Sequence, residues 1–261
     1  MKLHAQYDHD ERRAAFSPEA RWVTAGGVRG FWSHAFGSGW TLAPPPADPA
    51  RIRAHRDAMV AAVGSIEWTC FSWDGPQPWY ADAALRTCGY RQGDEELILV
   101  RSVPGLERSA LPSGLSVRRA TRPADREILS DADRVHEQVW GPQGRPSALL
   151  EAFQPGGSSG PYLSVHVAYL DRQPVAYGRL QHTPGSRFVG LFAGATIPAA
   201  RGRGCYRALV GSRAREAAAR GVTQLTVDAD PTTSAPILTR LGFVALGRAR
   251  PYLYHFGPHH T

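Results

Sequence analysis

Lysine is almost missing from this chain. Of 30 basic residues, Lys2 is the single lysine and the other 29 are arginine. Cysteine is scarce: Cys70, Cys88 and Cys205 are an odd, widely spaced set, which argues against a disulfide scaffold. No C-x-x-C pair is present and no histidine spacing suggests structural zinc, so no metal is assigned. No apolar run approaches the roughly 18 residues of a membrane-crossing helix. The opening residues Met1-Lys2-Leu3-His4 carry no apolar stretch that reads as a secretory signal. These absences predict a reduced, cytoplasmic protein with no membrane partner.

What is present is positive charge, carried in a form suited to anions. The formal charge is +7 and the sequence pI is about 9.7. Arginine offers a planar fork that matches phosphate and carboxylate. The charge alone admits nucleic acid, a phosphorylated coenzyme or an acidic substrate. The 261 residues, 43% of them apolar, suffice for one large domain or two small ones.

Residues 1–20 are polar and without period, and are expected to lie loosely on the surface. Aromatics and glycines from Arg21 to Leu42 predict short strands. Ile52, Met59, Val60 and Val63 share a stripe, so 49–63 is expected as a helix stopped by Gly64. A strand over 66–73, a helix over 79–87 and a strand over 97–100 follow. Residues 102–114 have the strongest linker composition, and the boundary between two domains is expected there. Beyond it come a strand at 115–120, helices at 123–140 and 147–153, and a glycine-rich loop at 154–161. Three strands then run in series, over 162–170, 174–182 and 187–197, as an antiparallel meander. A helix at 204–220, a strand at 225–228, a helix at 236–241, a strand starting at Gly242 and a closing strand at 251–256 complete the reading. Leu85-Arg86-Thr87-Cys88-Gly89-Tyr90 and Leu238-Thr239-Arg240-Leu241-Gly242-Phe243 each follow a strand and precede another, which reads as an internal repeat.

The segment that carries chemistry is Thr196-Ile197-Pro198-Ala199-Ala200-Arg201-Gly202-Arg203-Gly204-Cys205-Tyr206-Arg207. A strand enters an Arg/Gly turn and a helix leaves it. Glycine lets backbone approach a ligand closely, and a helix start offers unpaired N–H groups to phosphate. Arg201, Arg203 and Arg207 add charge. The segment lacks the lysine of a P-loop, and Arg207 stands where a dinucleotide fingerprint needs its third glycine.

On these residues the chain resembles the GNAT superfamily of acyl-CoA N-acyltransferases. Its signature [QR]-x-x-G-x-[GA] reads here as Arg201-x-x-Gly204-x-Tyr206, with a bulky ring at the last position. The resemblance covers about 115–256. It implies an α/β (α+β) fold with a mixed, mostly antiparallel sheet flanked by helices. With the repeat it implies a tandem arrangement: a degenerate, partial GNAT-like domain at 1–105 and a complete one at 115–261. It also implies acetyl-CoA as cosubstrate. The pantetheine would lie along Gly194, Ala195 and Thr196, and the pyrophosphate on the amides of Gly202, Arg203, Gly204, Cys205, Tyr206 and Arg207.

The family's usual acid and base are not matched. The strand at 187–197 contains no carboxylate, and Thr239 stands about where the family often has a tyrosine. Asp228 is the preferred base or water-orienting carboxylate, with capping of a turn as its bland alternative. Ser234 is a polar group placed near the coenzyme, or a helix cap. Tyr252 and Tyr254 are alternative acids, or aromatics filling a strand. Cys205 reads as a buried filler. His136, His166 and His182 have no metal-ligand spacing, and Trp68 and Trp73 read as core aromatics. The expected activity is transfer of an acetyl group to an amine of a small molecule or peptide, by a monomer or homodimer. The alternatives are an acyl-CoA-sensing module without turnover and a basic nucleic-acid-binding protein, the last disfavoured for want of a motif.

Overall fold

A computed structural model of the chain describes residues 3–12, 21–25, 27–33, 38–41, 44–72, 81–107, 111–141, 163–183 and 185–255. The helix expected at 147–153, the loop at 154–161 and Trp73 lie outside them. The chain forms two compact units, Met1–Leu99 with Asp228–Thr261, and Val100–Val227. These units follow a different cut from the repeat-based segments 1–105 and 115–261, because the first closes with the chain's C-terminal segment.

The first unit opens with α1 (Leu3–Tyr7), which runs into a π-helical turn at Asp8–Arg12. Tyr7 is buried, so this stretch is more ordered than its composition suggested. Strands β1 (Arg21–Ala25), β2 (Val28–Ser33) and β3 (Ser38–Thr41) pair antiparallel in series. Helix α2 (Pro49–Val63) then carries the chain over to β4 (Ser65–Ser72), which lies parallel to β3. Its ends follow from sequence. The Asp48 carboxylate accepts the Ala50 N–H at 2.8 Å, Pro49 occupies the first turn where no N–H is needed, and Gly64 stops the helix at φ +77°.

After α3 (Asp82–Thr87) and β5 (Arg91–Gln92), the strand β6 (Glu96–Ser102) leads out of this unit. The unit is completed by α6 (Ser234–Arg240) and the long strand β12 (Val244–His255). β12 pairs antiparallel with β4 from Arg248↔Ser72 to His255↔Ser65. The two strands expected at 242 onward and 251–256 are therefore one. Pro251 has no N–H to give, but its carbonyl accepts the Gly93 N–H at 2.9 Å, so the strand runs through it. The core holds Ile52, Met59, Ile66, Trp68, Leu85 and Tyr252. Trp68 is fully buried, edge-on to His55 and Tyr90.

In the second unit β7 (Leu115–Ala120), β8 (Leu163–Leu170), β9 (Gln173–Gln181) and β10 (Phe188–Thr196) form the expected antiparallel meander. The β8–β9 hairpin closes on Asp171-Arg172, both at positive φ, as a two-residue turn that matches strand twist requires. Helix α5 (Cys205–Ala219) is the crossover that lets β11 (Gln224–Ala229) lie parallel to β10. The sheet is mixed and mostly antiparallel, and helices α4 (Arg126–Trp140) and α5 both pack on its strands β7 to β10. β8 is buried along its whole length because both its faces are covered.

Candidate functional site

The site begins with a fault in β10. Phe192 pairs with Arg179, and the next register partners are Ala195 and Tyr177. β10 thus spends three steps where β9 spends two, a β-bulge that bends the strand, with Ala193 at φ +49°. On its other side β10 pairs with β11 only from Phe188↔Gln224 to Gly190↔Thr226. From Leu191 to Thr196 it has no register partner on β11. The buried Thr196 and Thr226 hydroxyls also have no hydrogen-bond partner among the described residues.

Past Thr196 a 3-10 turn, Pro198–Ala200, leads to Arg201. Gly202 at φ +75° and Gly204 at φ +80° then reverse the chain into α5. L-residues with a Cβ avoid this region, so both glycines answer a conformational need. A Cβ on Gly202 would meet open space, whereas one on Gly204 would stand 3.0 Å from Pro112 Cγ. The first helical hydrogen bond runs from Ala208 N–H to the Gly204 carbonyl at 2.9 Å. No turn or cap bond joins the N–H groups from Gly202 to Arg207 to a backbone carbonyl among the described residues. Nor does any carboxylate pair with Arg201, Arg203 or Arg207 there. Arg201 instead folds back, its Nε donating to the Thr196 carbonyl at 3.3 Å. Amides and exposed guanidinium groups clustered at a helix start suit a pyrophosphate. The residues present fit the diphosphate and pantetheine parts of coenzyme A.

Tyr206, the departure from the GNAT signature, does not project into this turn. Its ring packs on β10, where a Cβ on Gly194 would lie 2.6 Å from Tyr206 Cε2. Its hydroxyl meets Arg213, one of the most buried side chains in the protein. Arg213 donates to the carbonyls of Leu209 and Arg179, each at 3.2 Å, and a Cβ on Gly178 would collide with it at 2.8 Å. Two glycines on the sheet thus make room for two large polar side chains of the helix. Burial pushes the Tyr206 hydroxyl up and the Arg213 guanidinium down from their ordinary values. Cys205 is buried in the apolar cluster of Ala168, Ala200 and Leu209, its thiol directed to the Ala200 carbonyl at 3.6 Å. Burial raises that thiol's pKa, which makes it an inert filler.

The residues weighed for catalysis fall in the other unit. Asp228 is half-buried near the end of β11. Ser234 opens α6, whose N-terminus is ordered by Asp230: that carboxylate accepts from the Thr232 N–H, the Thr232 hydroxyl and the Thr233 N–H, each at 2.7 Å. These bonds hold Asp230 down at about 2. The Thr239 hydroxyl is bonded to the Ala235 carbonyl at 2.9 Å. Tyr252 is fully buried and its hydroxyl donates to Asp82, the setting of a strand-filling aromatic; burial and that bond push it up to about 12. Tyr254 packs against Tyr90 and under the Arg56 guanidinium.

Sequence patterns did not single out a third group. On the β9 face opposite Gly178 and α5, the Tyr177 hydroxyl meets His136 Nδ1 of α4 at 2.7 Å. The Trp140 ring lies 4.7 Å from the His136 ring, tilted at 52° to it, and edge-on at 6.2 Å to Tyr177. The signal that could have found it is the spacing of His136 and Trp140, four residues apart on one helix face.

No family model matches the chain, and no curated protein does. Solved structures do. The chain is similar to a GCN5-related N-acetyltransferase from Kribbella flavida, at 18% identity over 98% of this chain and 97% of that one, with a TM-score of 0.67. It is similar to a functionally unknown conserved protein from Staphylococcus epidermidis, at 11% identity over 92% and 95%, TM-score 0.66. A tandem GNAT protein from the clavulanic acid biosynthesis pathway aligns at 16% identity over 95% and 86%, TM-score 0.59. At these identities the likeness is one of fold.

Proposed function

We propose that this protein is an acyltransferase that moves an acetyl group from acetyl-CoA to an amine of a small molecule or peptide. The observation that carries the reading is the continuity of a β10 edge unpaired with β11 after Gly190 and a glycine turn whose amides, Gly202 to Arg207, bond no backbone carbonyl among the described residues. Gly194, Ala195 and Thr196 would hold the pantetheine by strand-like hydrogen bonds. Gly202 to Arg207 would hold the pyrophosphate, with Arg201 and Arg203 adding charge. The coenzyme supplies an activated acyl thioester. The backbone amides after the bulge are suited to oxygen that gains negative charge as the carbonyl is attacked.

Within this reading Asp228 attracts and orients the amine or its water, and Ser234 is a polar contact near the coenzyme. The repeat-based partition, a degenerate copy at 1–105 and a full copy at 115–261, belongs to the same proposal. A second reading, an acyl-CoA sensor without turnover, is favoured by one feature: β10 from Phe188 to Thr196 carries no carboxylate. Release of free thiol from acetyl-CoA in the presence of a panel of primary amines tests the choice. Amine-dependent release is expected. Binding of acetyl-CoA with no release for any amine would leave the sensor.

A further inference from the structure

Tyr177 lies directly across from Ala195, the residue with which β10 resumes pairing after its bulge. Cross-strand neighbours carry side chains about 5 Å apart on one face. That face is set by alternation: Gly178 faces Arg213 of α5, so Tyr177 faces the other way, where His136 meets its hydroxyl at 2.7 Å. His136 is half-buried and Trp140, 50% exposed, covers it from the solvent side. An imidazole hydrogen-bonded to a buried phenol and 4.7 Å from an indole therefore lies on the sheet face of Tyr177, whose strand partner Ala195 is in the stretch of β10 proposed to hold the pantetheine.

We infer that His136 is the proton acceptor for the attacking amine and that Tyr177 is the residue that positions it. This inference rests on the acyltransferase reading. The amine nitrogen's lone pair forms a bond to the thioester carbon. The carbon–sulfur bond breaks, and its electron pair leaves on the coenzyme sulfur as thiolate. The proton shed by nitrogen goes to His136 Nε2, while Nδ1–H donates to the Tyr177 oxygen. The product is an amide, a thiolate and an imidazolium, and charge balances.

Burial, more than the charges around the ring, favours its neutral form at rest. Burial lowers the His136 pKa, the Arg179 cation on β9 lowers it further, and Asp133 and Glu137 on α4 oppose them without reversing the direction. Tyr177, pushed up to about 12 by burial, stays a phenol. A neutral imidazole is ready to accept a proton at neutral pH.

The test uses the full chain. In ring-labelled histidine NMR, the His136 resonances should differ between the complex with CoA and the complex with acetyl-CoA, since only the acyl group distinguishes them. Equal spectra in the two complexes would overturn the inference. With the same amine panel, His136→Gln should lower kcat by about 10²- to 10⁴-fold, the usual worth of a general base. It should also remove the acid limb of the pH profile, and leave stabilisation by acetyl-CoA intact. Tyr177→Phe should lower kcat less, by about fivefold, in line with a net hydrogen bond of about 1 kcal/mol, and should shift that limb. If Asp228→Asn rather than His136→Gln removes the acid limb, or if His136→Gln turns over like the parent, the inference fails. Loss of stabilisation by acetyl-CoA in the parent protein would instead mark failure of the coenzyme reading itself.

Discussion

At the scale of single residues, the site is shaped by what two glycines leave out. Gly194 and Gly178 each face a large side chain of α5, Tyr206 and Arg213. Gly194→Ala should destabilise the protein by about 1–3 kcal/mol, the usual cost of overpacking. Combined with Tyr206→Ala, the penalty of the alanine at 194 should largely vanish, because the clash is gone. Urea unfolding of both single variants and the double variant checks this; simple additivity would contradict it.

A second residue-scale prediction concerns acid. His166 is buried, its Nε2 meeting Glu216 Oε2 at 2.8 Å and its Nδ1 meeting Ser212 at 3.0 Å. Burial lowers the His166 pKa, so the unfolded chain takes up a proton that the fold excludes once pH drops below about 6.5. Burial alone would raise Glu216, but hydrogen bonds from His166 and Ser164 and the Arg220 charge outweigh it and bring the carboxyl to about 2. Its contribution is present above the unfolded carboxylate value and is lost as pH falls toward about 2. Both groups therefore act in one direction: stability declines on acidification, first below about 6.5 and more steeply below about 4.5. Glu216→Gln should flatten the lower part of that decline in pH-dependent thermal unfolding. An unchanged slope there would show that other carboxylates set it.

At the scale of elements, capping rules account for where helices start and stop. Asp48→Ala should cost about 1 kcal/mol by removing the cap of α2, measured by chemical unfolding; no loss would mean that Pro49 alone fixes the start. The repeat was legible for the same reason. In one copy Gly89 N–H donates to Arg86 and Tyr90 N–H to Leu85, at 2.9 and 3.0 Å. In the other, Gly242 donates to Thr239 and Phe243 to Leu238 at the same distances. The pattern L-x-x-x-G-[FY] is the sequence form of that left-handed helix end, with Gly89 at φ +85° and Gly242 at φ +84°. The bulge in β10 was not legible, because Ala193 holds a positive φ that alanine does not advertise. The length of β12 was hidden by Pro251, whose tolerance depends on a partner far away in sequence. The His136–Tyr177 contact joins residues 41 positions apart and leaves no local pattern.

At the scale of the whole molecule, strand pairing joins segments that lie far apart in the sequence. Composition at 102–114 marks a turn-rich segment, but β4 finds its long antiparallel partner in β12, close to the C-terminus. Residues 1–105 expressed alone should therefore show no cooperative unfolding transition, since β4 and the Trp68 core lose β12 and Tyr252. A sharp, reversible melt of that fragment would contradict this. The Arg/Gly turn was legible because its chemistry lies in consecutive residues. The account rests on those residues handing their amides to a diphosphate, and backbone amide NMR of the labelled protein reads this directly. On titration with acetyl-CoA, the amides of Gly202 to Arg207 should show the largest shifts, and Gly204→Asp, which puts a carboxylate in the turn, should abolish them. Saturable binding of acetyl-CoA that leaves those six amides unmoved would contradict the account.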